Sequence, residues 1–374
     1  MTCAAASSRA ALTDFPPPDT PEGDRGGWHA AVIYRAVIYA AVIYAGMRDS
    51  MSEAPRHTPV MLDRCVELLA PALSHAGAVA IDGTLGMGGH TEAILVRCPQ
   101  AMVVGIDRDP QAIALASARL AGFGDRFRAH HAEYDDIAGA LAVARADAAD
   151  AVLLDLGVSS LQIDEAERGF SYSHDAPLDM RMNPEDARTA ADILRDADEA
   201  ELTRILRVYG EERFASRIAE AVVRRRAINP IRRSGDLVDL VRACIPAATR
   251  TPGSNPAKRT FQALRIAVNS ELEVLERTLP RVIEGTAVGG RIVVMSYHSL
   301  EDRLVKRAFA AGAEVSAPVG LPVVPEDDKP YLRLVTRGAE QASAAEAEAN
   351  PRSKPVRLRA VERIRPTPIA RRAA

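Results

Sequence analysis

The residues able to do chemistry fall in a few clusters. Asp82-Gly83-Thr84-Leu85-Gly86-Met87-Gly88-Gly89-His90 is a glycine-rich turn that follows the apolar run Ala78-Val79-Ala80-Ile81. Glycine lets a backbone approach a ligand closely and adopt dihedrals that other residues avoid. The spacing is not G-x-G-x-x-G, whose helix N-terminus grips a pyrophosphate. Glycines followed by Gly-His suit a loop around the amino-acid end of a ligand without phosphate, such as S-adenosylmethionine. Asp107 closes the next apolar run about twenty residues later, where a carboxylate accepts both hydroxyls of a ribose. Nicotinamide enzymes use the same device, so Asp107 alone does not separate the two cofactors. Tyr134 follows the third-strand region, a place for a ring against adenine or for ordinary core. Asp155 ends a fourth run and opens Asp155-Leu156-Gly157-Val158-Ser159-Ser160-Leu161-Gln162.

Such residues need a scaffold that brings strand ends together, and the surrounding pattern supplies one. Strands are expected at residues 78–81, 102–106 and 151–154, each closing on an aspartate, with helices at 91–96 and 110–120. Asp109-Pro110 is an N-cap and first-turn pair for the second helix. Strands alternating with helices predict a parallel, doubly wound sheet. The alternation stops between about 163 and 258, where helical spacing dominates, as in Phe214, Ile218 and Val222. A helical domain inserted into an α/β domain follows. The sheet pattern resumes with one long helix, 261–279, striped by Phe261, Leu264, Val268, Leu272, Leu275 and Leu279. A strand at 290–295 and a closing antiparallel pair at 331–336 and 356–364 complete the sheet. Residues 339–349 between that pair are polar and expected to be loose.

The expected divisions are therefore 1–50, a low-complexity, disordered extension; 51–162, the first part of the α/β domain; 163–258, the helical insertion; and 259–374, the second part with a basic end. In the extension AVIY recurs at Ala31, Ala36 and Ala41, and Arg35 interrupts a run already short for a membrane span. It is read as dispensable, with Met47 and Met51 as alternative starts. A net charge of −3, from 47 Lys and Arg against 50 Asp and Glu, hides local basic clusters. One gathers Arg204, Arg207, Arg213, Arg217, Arg224, Arg225, Arg226, Arg232 and Arg233; the other is Arg352, Lys354, Arg357, Arg359, Arg363 and Arg365. Such surfaces suit a polyanion more than net charge would indicate. The 4 cysteines are scattered, without CxxC or histidines at metal-ligand spacing, so free thiols in the cytoplasm and no metal are expected.

The stretch from Asp155 to Gln162 resembles the bacterial ribosomal RNA small-subunit methyltransferase H family. So do Arg168-Gly169-Phe170-Ser171-Tyr172, Leu178-Asp179-Met180-Arg181-Met182, Gly210-Glu211-Glu212-Arg213, the run from Arg259 to Asn269, and Ser296-Tyr297-His298-Ser299-Leu300-Glu301-Asp302-Arg303. These blocks run in order from His57 to about Ile364. The resemblance implies a Rossmann-like class I methyltransferase sheet and N4-methylation of a cytidine in 16S rRNA with S-adenosylmethionine as cofactor. It assigns cofactor contacts to Gly88, Gly89, His90, Asp107, Tyr134, Asp155 and Gln162. Departures are few: Leu161 replaces a common Pro, Asn255 a common His, and Lys354-Pro355 a common Arg-Ser.

The amino group of cytosine is a poor nucleophile because its lone pair is delocalised into the ring. Acceptors that hold the amino hydrogens let that nitrogen become tetrahedral as it attacks. Asp155 and Ser159 are the best-placed acceptors by topology, and Ser296 and His298 approach from the next strand; His298 serves equally well as a structural hydrogen-bonder. A base within a helix cannot reach the methyl group, so the target must be unpaired or flipped. The expected partner is 16S rRNA of the small ribosomal subunit, held by the helical insertion and the basic C-terminus, with no membrane involved. A monomer and a homodimer both remain open. Two rivals share parts of the pattern: a nicotinamide oxidoreductase, and a non-catalytic ribosome assembly factor on a Rossmann-like nucleotide-binding fold.

Overall fold

The computed structural model describes residues 59–250, 255–318 and 323–368. The extension expected at 1–50 lies outside them. Its strands are β1 (Val79–Asp82), β2 (Met102–Asp107), β3 (Phe127–His131), β4 (Ala149–Asp155), β5 (Thr286–Ser296), β6 (Leu332–Leu334) and β7 (Arg357–Arg363). They form a seven-stranded sheet in the order β3-β2-β1-β4-β5-β7-β6. The first five are parallel, and β7 runs antiparallel to both β5 and β6. The expected Rossmann-like class I methyltransferase sheet is the sheet observed.

Strand residues alternate between two cores, as a sheet covered on both faces requires. Ala80, Val103, Ala151, Leu153, Val293 and Met295 face one side with α1 (Leu62–Leu69), α2 (Gly89–Arg97) and α3 (Pro110–Leu120). Ile81, Val104, Val152, Leu154, Ile292 and Val294 face the other with α4 (Ile137–Ala144), α11 (Glu271–Gly285) and α12 (Ser299–Ala313).

Between β4 and α11 lie α5 (Ser160–Asp164), α6 (Ala190–Asp196), α7 (Glu199–Val208), α8 (Ala215–Ile228), α9 (Ser234–Cys244) and α10 (Lys258–Asn269). Helices α6 to α10 gather a third core of their own, including Ile193, Leu206, Ile218, Leu237 and Leu264. Leu300 of α12 joins that core, tying it to the sheet side.

Two expectations fail. The single helix expected over 261–279 is two, α10 and α11, broken at Ser270 with φ of 49°. The apolar stripe runs on across the break, so periodicity could not reveal it. Asn269 holds the break: its buried amide donates to the Met180 and Arg265 carbonyls and accepts from Met182 N. The stretch 339–349 is anchored. Arg64 donates bidentately to Glu340 at 2.8 and 2.9 Å, Glu346 accepts from Met61 N at 2.6 Å, and residues 344–349 form the helix α13 (Ala344–Ala349).

Candidate active site

The strand order reverses between β1 and β4, and in such sheets the ligand crevice lies beyond the strand ends at this switch point. A cleft of about 580 Å³ opens there, lined by the β1–α2 and β4–α5 loops, the end of β2, and the start of α12. That volume lies within the range of small-molecule sites.

The floor is acidic. Asp82 is buried, accepting from Thr91 Oγ1 at 2.7 Å and Thr84 N at 3.2 Å, and burial pushes its carboxyl up. Asp107 accepts from Gly86 N at 2.8 Å and Asp109 N at 2.9 Å, so it fixes the glycine loop against β2. Burial raises Asp107 to about 6, although those two amides favour the charged form. Asp155 accepts from the Tyr297 hydroxyl at 2.6 Å, and its own N–H donates to Thr84 Oγ1 at 2.6 Å. Burial is the largest effect on Asp155 too, and its carboxyl is raised.

Of the expected cofactor residues, Gly89, His90, Asp107, Tyr134, Asp155 and Gln162 line the cleft, and Gly88 does not. Gly88 instead turns the loop into α2: its φ is 77°, and a Cβ there would stand 2.9 Å from Leu120 Cδ1. His90 is buried, with Nε2 at 3.1 Å from the Val60 carbonyl. Tyr134 donates to the Glu271 carbonyl at 3.4 Å. Gln162 is committed internally, accepting from Ser159 N at 3.0 Å while its amide approaches Asp109 at 3.4 Å. It therefore shapes the wall of the cleft through both ends of its side chain.

The three residues expected to act on the base, Asp155, Ser159 and His298, all reach the cleft. Ser159 caps α5, its hydroxyl oxygen accepting from Gln162 N at 3.2 Å. His298 caps α12 through Nδ1, which accepts from Glu301 N at 3.4 Å, and its Nε2 lies 3.2 Å from Glu301 Oε1. Ser296 is buried and outside the lining.

The sequence reading missed the charged wall behind His298. Arg265 forks onto Glu271 at 2.9 and 2.8 Å, and Glu301 accepts from Tyr297 N and His298 N. Burial would raise Glu301, but His298 and Arg265 hold it below its ordinary value. Glu271, His298 and Glu301 offer ligand atoms within 4.8 Å of one another. The Arg265 fork already occupies both Glu271 oxygens and supplies the positive charge that a cation would bring. Tyr297 was overlooked as well, although it stands between Ser296 and His298, both of which were considered.

A doubly wound sheet with a reversed strand in its second half, opening its switch point onto a glycine loop and the strand-end carboxylates Asp107 and Asp155, defines a Rossmann-like methyltransferase. The chain belongs to the MraW methylase family, whose model matches residues 54–364. It is 64% identical over 315 residues to the ribosomal RNA small subunit methyltransferase H of Beutenbergia cavernae, covering 84% of this chain and 95% of that protein. The proteins of the same name from Saccharopolyspora erythraea and Nocardioides sp. are 59% and 60% identical over 318 and 309 residues. Those matches cover 85% and 83% of this chain and 96% and 97% of theirs.

Proposed function

We propose that this chain transfers a methyl group from S-adenosylmethionine to the exocyclic N4 of a cytidine in 16S rRNA of the small ribosomal subunit, in the cytoplasm. The observation that carries this reading is the family match over residues 54–364, which spans every residue lining the cleft. S-adenosylmethionine supplies a methyl group activated by its bond to a sulfonium.

The donor set suits that cofactor. Asp107 keeps lone pairs for two ribose hydroxyls beyond the amides it already accepts. The half-buried Tyr134 ring offers a flat wall to adenine, and the loop through Gly86 and Gly89 presents backbone rather than side chains. Positioning and exclusion of water then provide much of the acceleration. Asp155 and Ser159 line the cleft beside the α12 start, where an entering amine meets oxygen acceptors.

For the RNA, the internal arrangement of each basic cluster matters. Arg357 and Arg359 bind Asp302, Arg365 binds Glu326, Arg352 binds Asp164, and buried Arg363 donates to the Glu284 and Thr286 carbonyls. The C-terminal cluster is thus largely consumed inside the molecule. In the helical segment Arg226 is likewise spent on the Leu194 and Ala197 carbonyls. Arg213, Arg217 and Arg232 are exposed with no side-chain partner among the described residues, and Lys258 stands exposed at the cleft. These are the cations assigned to RNA phosphates. Among the described residues no helix is long and apolar enough to cross a membrane.

The test is to map N4-methylcytidine in 16S rRNA with and without the protein, and to reconstitute transfer to small subunits with S-adenosylmethionine. Binding of the donor without any methylated cytidine would leave the assembly-factor reading in its place.

A further inference from the structure

The Asp155 carboxylate is satisfied on one side only. Oδ1 accepts from the Tyr297 hydroxyl at 2.6 Å. Oδ2 has no hydrogen bond among the described residues and lies 3.7 Å from His90 Nδ1, too far for one. The opposite ring nitrogen, His90 Nε2, faces the Val60 carbonyl at 3.1 Å. A carbonyl only accepts, so His90 Nε2 gives its proton to Val60 and not to Asp155. A carboxylate that lines a cleft with one oxygen tied and the other without a donor has a vacant acceptor position.

We propose that Tyr297 is a positioning residue for methyl transfer: its hydroxyl takes Asp155 Oδ1 and so assigns Oδ2 to the proton that the cytosine amine sheds. This rests on the reading that the cleft methylates cytidine N4. As the N4–methyl bond forms, the methyl–sulfur bond breaks and its electron pair goes to sulfur. The nitrogen is left with one proton too many, and Oδ2 receives it; the proton passes to water when the product leaves.

Tyr297 is itself held from two sides. Its N–H donates to Glu301 Oε2 at 2.8 Å. Its ring lies against the β4–α5 turn, where a Cβ on Gly157 would stand 3.6 Å from Tyr297 Cδ2. The titratable groups around Asp155 are Asp82 of β1, His90 of α2, Cys65 of α1, Tyr297, and Glu301 of α12. Burial raises the Asp155 carboxyl most, His90 and the Tyr297 hydroxyl pull it down, and Asp82 and Glu301 push it up. Removing the hydroxyl removes one of the two influences that favour the charged form.

The experiment compares wild type with Tyr297→Phe in two measurements. The first follows the Asp155 carboxyl by isotope-edited infrared titration of the protein without RNA or donor, using Asp155→Asn to assign the band. The second follows single-turnover methyl transfer against pH. A hydrogen bond to a charged group corresponds to about one to two pH units. The Asp155 midpoint and the acid limb of the rate should therefore both move up by about that amount in Tyr297→Phe. Affinity for S-adenosylmethionine should stay within about twofold of wild type, which also reports that the variant is folded. An unmoved midpoint, or an acid limb that stays put while the plateau falls, overturns the proposal. Should wild type methylate no cytidine at all, the proposed function fails, and the titration still judges the grip of Tyr297 on Asp155.

Discussion

Replacing Arg168 with Met removes one charge from a buried pair while keeping most of the side-chain volume. Arg168 donates to Asp109 Oδ2 at 2.8 Å, to the Met182 carbonyl at 2.8 Å and to the Arg181 carbonyl at 3.2 Å. The Asp109 side chain is 0% exposed and that of Arg168 13%. Breaking a buried pair from one side costs about 3–5 kcal/mol, because the remaining charge keeps its desolvation penalty without its partner. Asp109 retains the Gln111 N–H at 3.0 Å, which places this case near the lower end, about 3 kcal/mol. In a domain of this size that lowers the melting temperature by about 6–12 °C. Met182 lines the cleft, so loosening this attachment should also weaken S-adenosylmethionine binding severalfold. Thermal unfolding by circular dichroism and calorimetry of donor binding measure the two effects. Adding Asp109→Asn to Arg168→Met removes the stranded charge and should restore at least about 1 kcal/mol. A melting temperature within 2 °C of wild type for Arg168→Met, on the scale of about 2–4 °C per kcal/mol, would refute the reasoning, as would a double variant no more stable than the single.

Asp107, raised to about 6, should make S-adenosylmethionine affinity fall as pH drops, by about tenfold between pH 7 and 5, where about one carboxyl in ten stays ionised. Asp107→Asn should bind weakly with no pH dependence in that window, as calorimetry would show. The same raised value means that the folded state holds this proton more tightly than the unfolded one. Its contribution favours folding in acid and is lost as pH rises from the ordinary carboxyl value through 6. Gly88→Ala should lose about 2–4 kcal/mol in urea unfolding, combining a left-handed φ with a methyl pressed on Leu120; a loss below about 1 kcal/mol would contradict the loop geometry. Changing Arg213, Arg217 and Arg232 to Ala should weaken RNA binding and flatten its salt dependence by about two to three units while leaving donor affinity intact. Arg226→Ala, by contrast, should cost stability, and equal effects on RNA from both variants would show that the partition of arginines is wrong.

The parts of the fold set by local repetition were readable in the chain. The helix opened by Asp109-Pro110 runs from Pro110 to Leu120 as expected, because its cap and its apolar spacing agree. The strands ending in Asp82, Asp107 and Asp155 were readable from their buried runs; Asp107 and Asp155 meet in the cleft, and Asp82 is buried under Thr84 and Thr91. What escaped was decided by partners distant in sequence. Ser270 breaks a continuous stripe because Asn269 is bonded to residues near 181, and no spacing rule carries that contact. The polar stretch 339–349 looked unanchored because its anchors, Arg64 and Met61, lie at the other end of the domain. Arginine clusters read as RNA surface for the same reason: a sequence shows Arg357 and Arg359 but not the Asp302 that neutralises them.

The sheet is assembled from strands made far apart in time. During synthesis β4 is complete at residue 155, but its neighbour β5 begins only at 286, after the whole helical segment has been made. At about 5–20 residues per second that leaves an apolar edge unpaired on the nascent chain for on the order of 10 s. The final neighbour, β7, enters between β5 and β6 only once residues 357–363 have been made. Until then β5 presents a row of free backbone groups of the kind that templates wrong pairing. A ribosome making this protein thus carries an adhesive half-sheet while residues 156–285 are added, and cellular yield should depend on holdase supply and on codon-level pacing across residues 160–285.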